Sequence, residues 1–66
     1  MQVWINGESR LLNPETTIRQ LLVDSRLEER RVAVELNEAI VPRSQHDSYR
    51  IRHGDRVEIV HAIGGG

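Results

Sequence analysis

The segment MQVWINGESRLLNPETTIRQLL, Met1 to Leu22, changes its periodicity once, and that change decides the fold class. Met1, Val3 and Ile5 alternate with Gln2, Trp4 and Asn6, the period-two pattern of a strand with one covered face. Asn6-Gly7 follows, a dipeptide suited to the two positive φ angles of a type I′ hairpin turn, so a second strand is predicted through Ser9 to Leu12. Pro14 ends it. Thr17-Ile18-Arg19-Gln20 then has the form of a capping box, with Thr17 capping the helix start and Gln20 reaching back to it. Ile18, Leu21 and Leu22 have the spacing of one apolar helical stripe, with the helix end predicted around Ser25 to Leu27.

Beyond the helix, Glu28-Glu29-Arg30-Arg31 reads as a solvated connection. Alternation resumes in Val32, Val34 and Leu36, with Ala33, Glu35 and Asn37 facing the other way. Asn37-Glu38 should turn this strand into the short run Ala39-Ile40-Val41. Pro42 cannot donate to a ladder, which marks an edge strand or a strand end. Ser44 to Ser48 is polar, with at most one helical or 3₁₀ turn, and Tyr49 and Ile51 are the predicted core anchors of this irregular stretch. His53-Gly54-Asp55 is a second turn. It feeds a last strand in which Val57 and Ile59 share one face while Glu58 and Val60 point away. The order is an α+β domain, with one main helix packed on one face of a mixed sheet of four to five strands.

Size and composition narrow the function. A chain of 66 residues is one domain, and at this size only roughly 60% of the unfolded surface is buried, which leaves little room for a deep catalytic cleft. The absence of cysteine excludes disulfides, thiolate metal sites and a cysteine nucleophile, and fits a reducing compartment. Nine basic residues, all Arg, face ten acidic ones, so bulk attraction to nucleic acid or membrane is not indicated. No positively charged leader precedes an apolar stretch and no window reaches bilayer length, so a cytoplasmic location is expected. His46, His53 and His61 lack ligand spacing and read as solvated or capping side chains rather than metal ligands. Asp55 and Gly54 suit a turn, and Glu58 an outward strand position, rather than acid-base chemistry.

The domain is expected to span 1–63, with residues 64–66 as a flexible glycine tail. Gly64, Gly65 and Gly66 can add nothing to a core, having no side chains to bury. Their use lies in the end they present: a carboxylate on Gly66, a residue without a Cβ, can be threaded through a tunnel too narrow for other residues. Considered alone, the triplet also suits a frayed terminus or a linker. It is not a phosphate cradle, because no helix N-terminus follows it.

The whole chain resembles the ThiS sulfur carriers of thiamine biosynthesis, part of the ubiquitin-like β-grasp group that includes the MoaD carriers of molybdopterin synthesis. The resemblance is carried by Asn6-Gly7-Glu8, Leu36-Asn37, Ile40-Val41-Pro42-Arg43, Gly54-Asp55, Val57-Glu58-Ile59-Val60 and the Gly65-Gly66 end. His61-Ala62-Ile63 stands where the MoaD branch has an aromatic and Pro-Pro stretch, and His46 stands where ThiS chains commonly carry tryptophan. The resemblance implies a β-grasp fold with the last strand central and parallel to the first. It also implies that a ThiF-type adenylyltransferase, using its own ATP and Mg²⁺, activates the Gly66 carboxylate. Sulfur from a persulfide donor, supplied by a cysteine desulfurase, would then leave a thiocarboxylate for thiazole synthase. The chain itself would bind no cofactor, would be a carrier rather than an enzyme, and would be a monomer when free.

Trp4 lies on the sheet face opposite the helix. With Val60 beside it and Ile63 leading into Gly64 and Gly65, it could form an apolar docking patch for the adenylating enzyme. Equally, the indole could lie flat across its own sheet. Three further readings of the chain stand open: a sulfur carrier for molybdopterin, cysteine or methionine pathways, a ubiquitin-like modifier joined to lysine, and a non-covalent β-grasp module.

Overall fold

The structure, a computed structural model, describes residues Met1–His61. Ile63, Gly64, Gly65 and Gly66, which the sequence assigns to the site, lie outside the described residues, as does the boundary between domain and tail. Five strands and one α-helix follow in the order β1 (Gln2–Ile5), β2 (Glu8–Leu11), α1 (Ile18–Asp24), β3 (Val32–Leu36), β4 (Ala39–Val41) and β5 (Arg56–His61), with a 3₁₀ turn at Arg43–Gln45 before β5. They form one sheet in the order β2-β1-β5-β3-β4. The last strand is therefore its centre, parallel to β1 and antiparallel to β3.

Both hairpins turn at the predicted residue pairs, and the Asn6-Gly7 turn is of the predicted type. Asn6 and Gly7 have φ of 50° and 83°, and Asn37 and Glu38 have 51° and 72°. Positive φ at both central residues gives the turn a twist that matches the strands it joins. β2 begins one residue earlier than predicted because the tight turn brings Glu8 directly opposite Ile5.

Thr17 caps α1 as predicted, its hydroxyl accepting from the Gln20 amide at 3.0 Å. The reciprocal half of the capping box is not made. The Gln20 side chain reaches forward to Asp24 at 2.9 Å, one turn along the same face. At the other end Arg26 N–H donates to Val23 O at 3.0 Å and Leu27 N–H to Leu22 O at 2.7 Å, a Schellman closure with Arg26 at φ 60°.

The core is made by the predicted faces: Val3 and Ile5 of β1, Ile18, Leu21 and Leu22 of α1, Val34 and Leu36 of β3, Val41, Val57 and Ile59. Ile51 joins them, as predicted. Tyr49 does not, with 39% of its surface exposed, while His46, read from sequence as solvated or capping, is buried at 7%. The crossover thus anchors itself by other means. Tyr49 contributes its carbonyl, which accepts the Ile18 amide at 3.1 Å, and the His46 carbonyl accepts Arg19 N–H at 2.9 Å.

Candidate functional site at the exit of the last strand

β5 leads toward the glycine residues, so its support sets the geometry of the site. On one side β3 pairs with it through five register positions, from Leu36 opposite Val57 to Val32 opposite His61. The strand is thus held to its last residue. On the other side β1 pairs only through Trp4 with Arg56 and Ile5 with Val57. β1 then turns away at Asn6.

Two asparagine side chains also bond β5, Asn6 toward the exit and Asn37 at the start of the strand. Asn6 donates its backbone N–H to Val57 O at 2.8 Å and accepts Ile59 N–H on Oδ1 at 2.8 Å. From the β3 side, Asn37 Oδ1 accepts Arg56 N–H at 3.0 Å while its backbone N–H donates to Arg56 O at 2.8 Å. Asn37 Nδ2 also donates to Asp55 Oδ1 at 3.0 Å, and Asp55 Oδ2 accepts Arg52 N–H at 2.8 Å. In sequence these residues read only as turn formers. Their long-range bonds were not visible, because a turn signal says which φ a residue tolerates and nothing about which strand its side chain meets.

The open face of the sheet carries Trp4, Arg56, Glu58 and Val60, with Ala33 and Glu35 of β3 and Ile40 of β4 in the same alternation. The expected pairing of Trp4 with Val60 is not found. Trp4 stands opposite Arg56, four positions before Val60, a separation of about 13 Å along an extended strand. The apolar surface is consequently split in two. Val60 neighbours Ala33 near the exit, with Ile40 level with Glu35 and Glu58 on the outer strand, whereas Trp4 has Leu11 diagonal to it at the far end. Arg56, Glu58 and Glu35 separate them. Trp4 is 37% exposed and Val60 50%.

The three histidines have separate environments. His46 Nε2 lies 3.1 Å from Val41 O, His53 Nδ1 accepts Gln2 N–H at 3.1 Å, and His61 ends β5. Among the described residues, no group of three His, Asp or Glu side chains is placed to hold a metal ion.

Comparison with known proteins agrees with this architecture. The model of the ThiS family matches residues 3–66. The sulfur carrier protein ThiS of Bacillus subtilis is 35% identical over 63 residues, covering 94% of this chain and 96% of that protein. Two proteins called thiazole synthase, from Paramagnetospirillum magneticum and Magnetococcus marinus, are 42% and 36% identical over all 66 residues. The chain spans only 20% of the length of each. The crystal structure of the thiamine biosynthesis protein ThiS from Geobacter metallireducens matches with a TM-score of 0.86 at 28% identity, covering 100% of both chains. Sequence, sheet order and extent of match all agree: the chain belongs to the ThiS family and has its ubiquitin-like β-grasp fold.

Proposed function

We propose that the chain is a sulfur carrier of thiamine biosynthesis whose working group is the carboxylate of Gly66. The observation that carries the reading is its end-to-end likeness to a ThiS carrier. The central, doubly supported β5 adds a physical reason, because it gives a terminal segment a fixed point of departure. A carboxylate is a poor electrophile, its carbon being shielded by charge and resonance. In this reading a ThiF-type adenylyltransferase joins a Gly66 oxygen to the α-phosphorus of ATP, with loss of pyrophosphate, and so supplies a leaving group. The terminal sulfur of a donor persulfide displaces AMP, and a thiol cleaves the resulting acyl disulfide, leaving the thiocarboxylate.

The chain acts as a co-substrate in this scheme. ATP and Mg²⁺ belong to the partner, Gly64 and Gly65 form the narrow tether, and Ile63, Val60 and Trp4 are candidates for partner contact. Thiazole synthase as the recipient of sulfur is supported by the two relatives of that name, each of which contains a segment like this chain. The reading places the chemistry in the cytoplasm, and no helix among the described residues is long and apolar enough to cross a membrane.

Intact-mass analysis of the chain isolated from cells grown without thiamine tests the proposal. The expected result is a species ending at Gly66 with one oxygen exchanged for sulfur. Gly66 found only in isopeptide linkage to lysine, or bearing only oxygen under thiamine demand, would overturn it.

A further inference from the structure

We propose that Asn6 is a positioning residue for activation of the terminal carboxylate, its side-chain amide replacing a backbone carbonyl that β1 no longer supplies. The inference rests on the carrier reading above. In the β1–β5 ladder Trp4 N–H bonds Asp55 O, the residue before its register partner Arg56, at 3.0 Å, and Asn6, one residue past β1, continues the pattern with N–H to Val57 O at 2.8 Å. In a parallel ladder the carbonyl of the same β1 residue then accepts from the residue following that partner. For Asn6 the donor would be Ile59 N–H.

Asn6 has entered the hairpin at φ 50°, which swings its carbonyl out of line. Oδ1 occupies the vacated role, accepting Ile59 N–H at 2.8 Å in a partly buried bond. The ladder gains one more rung without a longer strand. Ile59 lies two residues before His61, the last described residue of β5, so among the described residues this rung is the support on the β1 side nearest the exit. Few residues meet both demands. The position needs tolerance of positive φ and an acceptor one carbon beyond Cβ, which Asn and Asp provide and Gly does not.

Asn37 supplies the control. It makes the same kind of bond to the same strand, but at Arg56, the opposite end from the exit. Asn6→Gly and Asn37→Gly both keep the turn and lose the side-chain acceptor. The experiment measures pyrophosphate release by purified ThiF-type adenylyltransferase with ATP and Mg²⁺, alongside amide exchange at Ile59. Asn6→Gly should accelerate exchange at Ile59 and lower kcat about tenfold, with KM within about twofold, as misplacement of a reacting group does. Asn6→Asp should restore kcat, and Asn37→Gly should leave it unchanged. Parent-like kcat in Asn6→Gly, unchanged exchange at Ile59, or an equal loss in Asn37→Gly would overturn the role while leaving the carrier reading intact. No release with the parent chain would remove both.

Discussion

His46 stands where the family resemblance leads one to look for tryptophan, and it shows how a smaller polar ring can do a similar anchoring task. Its Nε2 lies 3.1 Å from the Val41 carbonyl, an acceptor only, so Nε2 is the protonated ring nitrogen. The ring is buried, and its own backbone carbonyl holds Arg19 N–H. Replacing His46 by Ala removes packed surface and one hydrogen bond to the Val41 carbonyl, which keeps its ladder partner Val34, so urea denaturation should show a loss of about 1–2 kcal/mol. A loss within about 0.5 kcal/mol, the ordinary range for a surface position, would refute this anchoring role. The sequence could not place this ring, since spacing along the chain tests a histidine for metal ligation and says nothing about burial by a crossover. Backbone conformation shows a similar divide. Asn6 and Asn37 advertise positive φ through their residue type, whereas Glu15, Arg26 and Glu38 adopt it without any local cue.

Helix α1 is seven residues long, too short to persist on propensity alone. Its first three amides show what holds it: Ile18 N–H meets Tyr49 O, Arg19 N–H meets His46 O, and Gln20 N–H meets Thr17 Oγ. Only the last was legible in sequence. The other two come from a segment some thirty residues away in the chain, and they explain why Tyr49 matters by its carbonyl while its ring stays partly in solvent. Thr17→Ala should therefore cost about 1 kcal/mol in urea denaturation, the usual worth of a side-chain cap. Gln20→Ala should cost under about 0.5 kcal/mol, because its side chain makes only an exposed bond one turn along. Equal losses in the two variants would restore the reciprocal capping box that the geometry lacks.

The strand faces and both hairpins follow from alternation and turn chemistry, yet the offset between β1 and β5 does not. A parallel pairing joins segments some fifty residues apart with no turn to fix its register, so nothing in either strand reveals that Trp4 sits beside Arg56 rather than Val60. That offset changes which surface a partner can use while receiving the terminus. Val60, with Ala33, lies at the exit end of the open face, whereas Trp4 and Leu11 lie at the far end behind a row of charges. A partner engaging the end of the chain must cover the nearer patch first, and half of the Val60 surface is free to be buried there. Val60→Asp should raise KM for adenylation about tenfold with little change in kcat, because it puts an unpaired charge into the contact while leaving the departure of β5 unchanged. Trp4→Ala should raise KM by less than about threefold, the range of a peripheral interface contact. The reverse order, measured on variants with parent-like urea unfolding, would move the docking face to the Trp4 end and require a partner that spans the whole sheet.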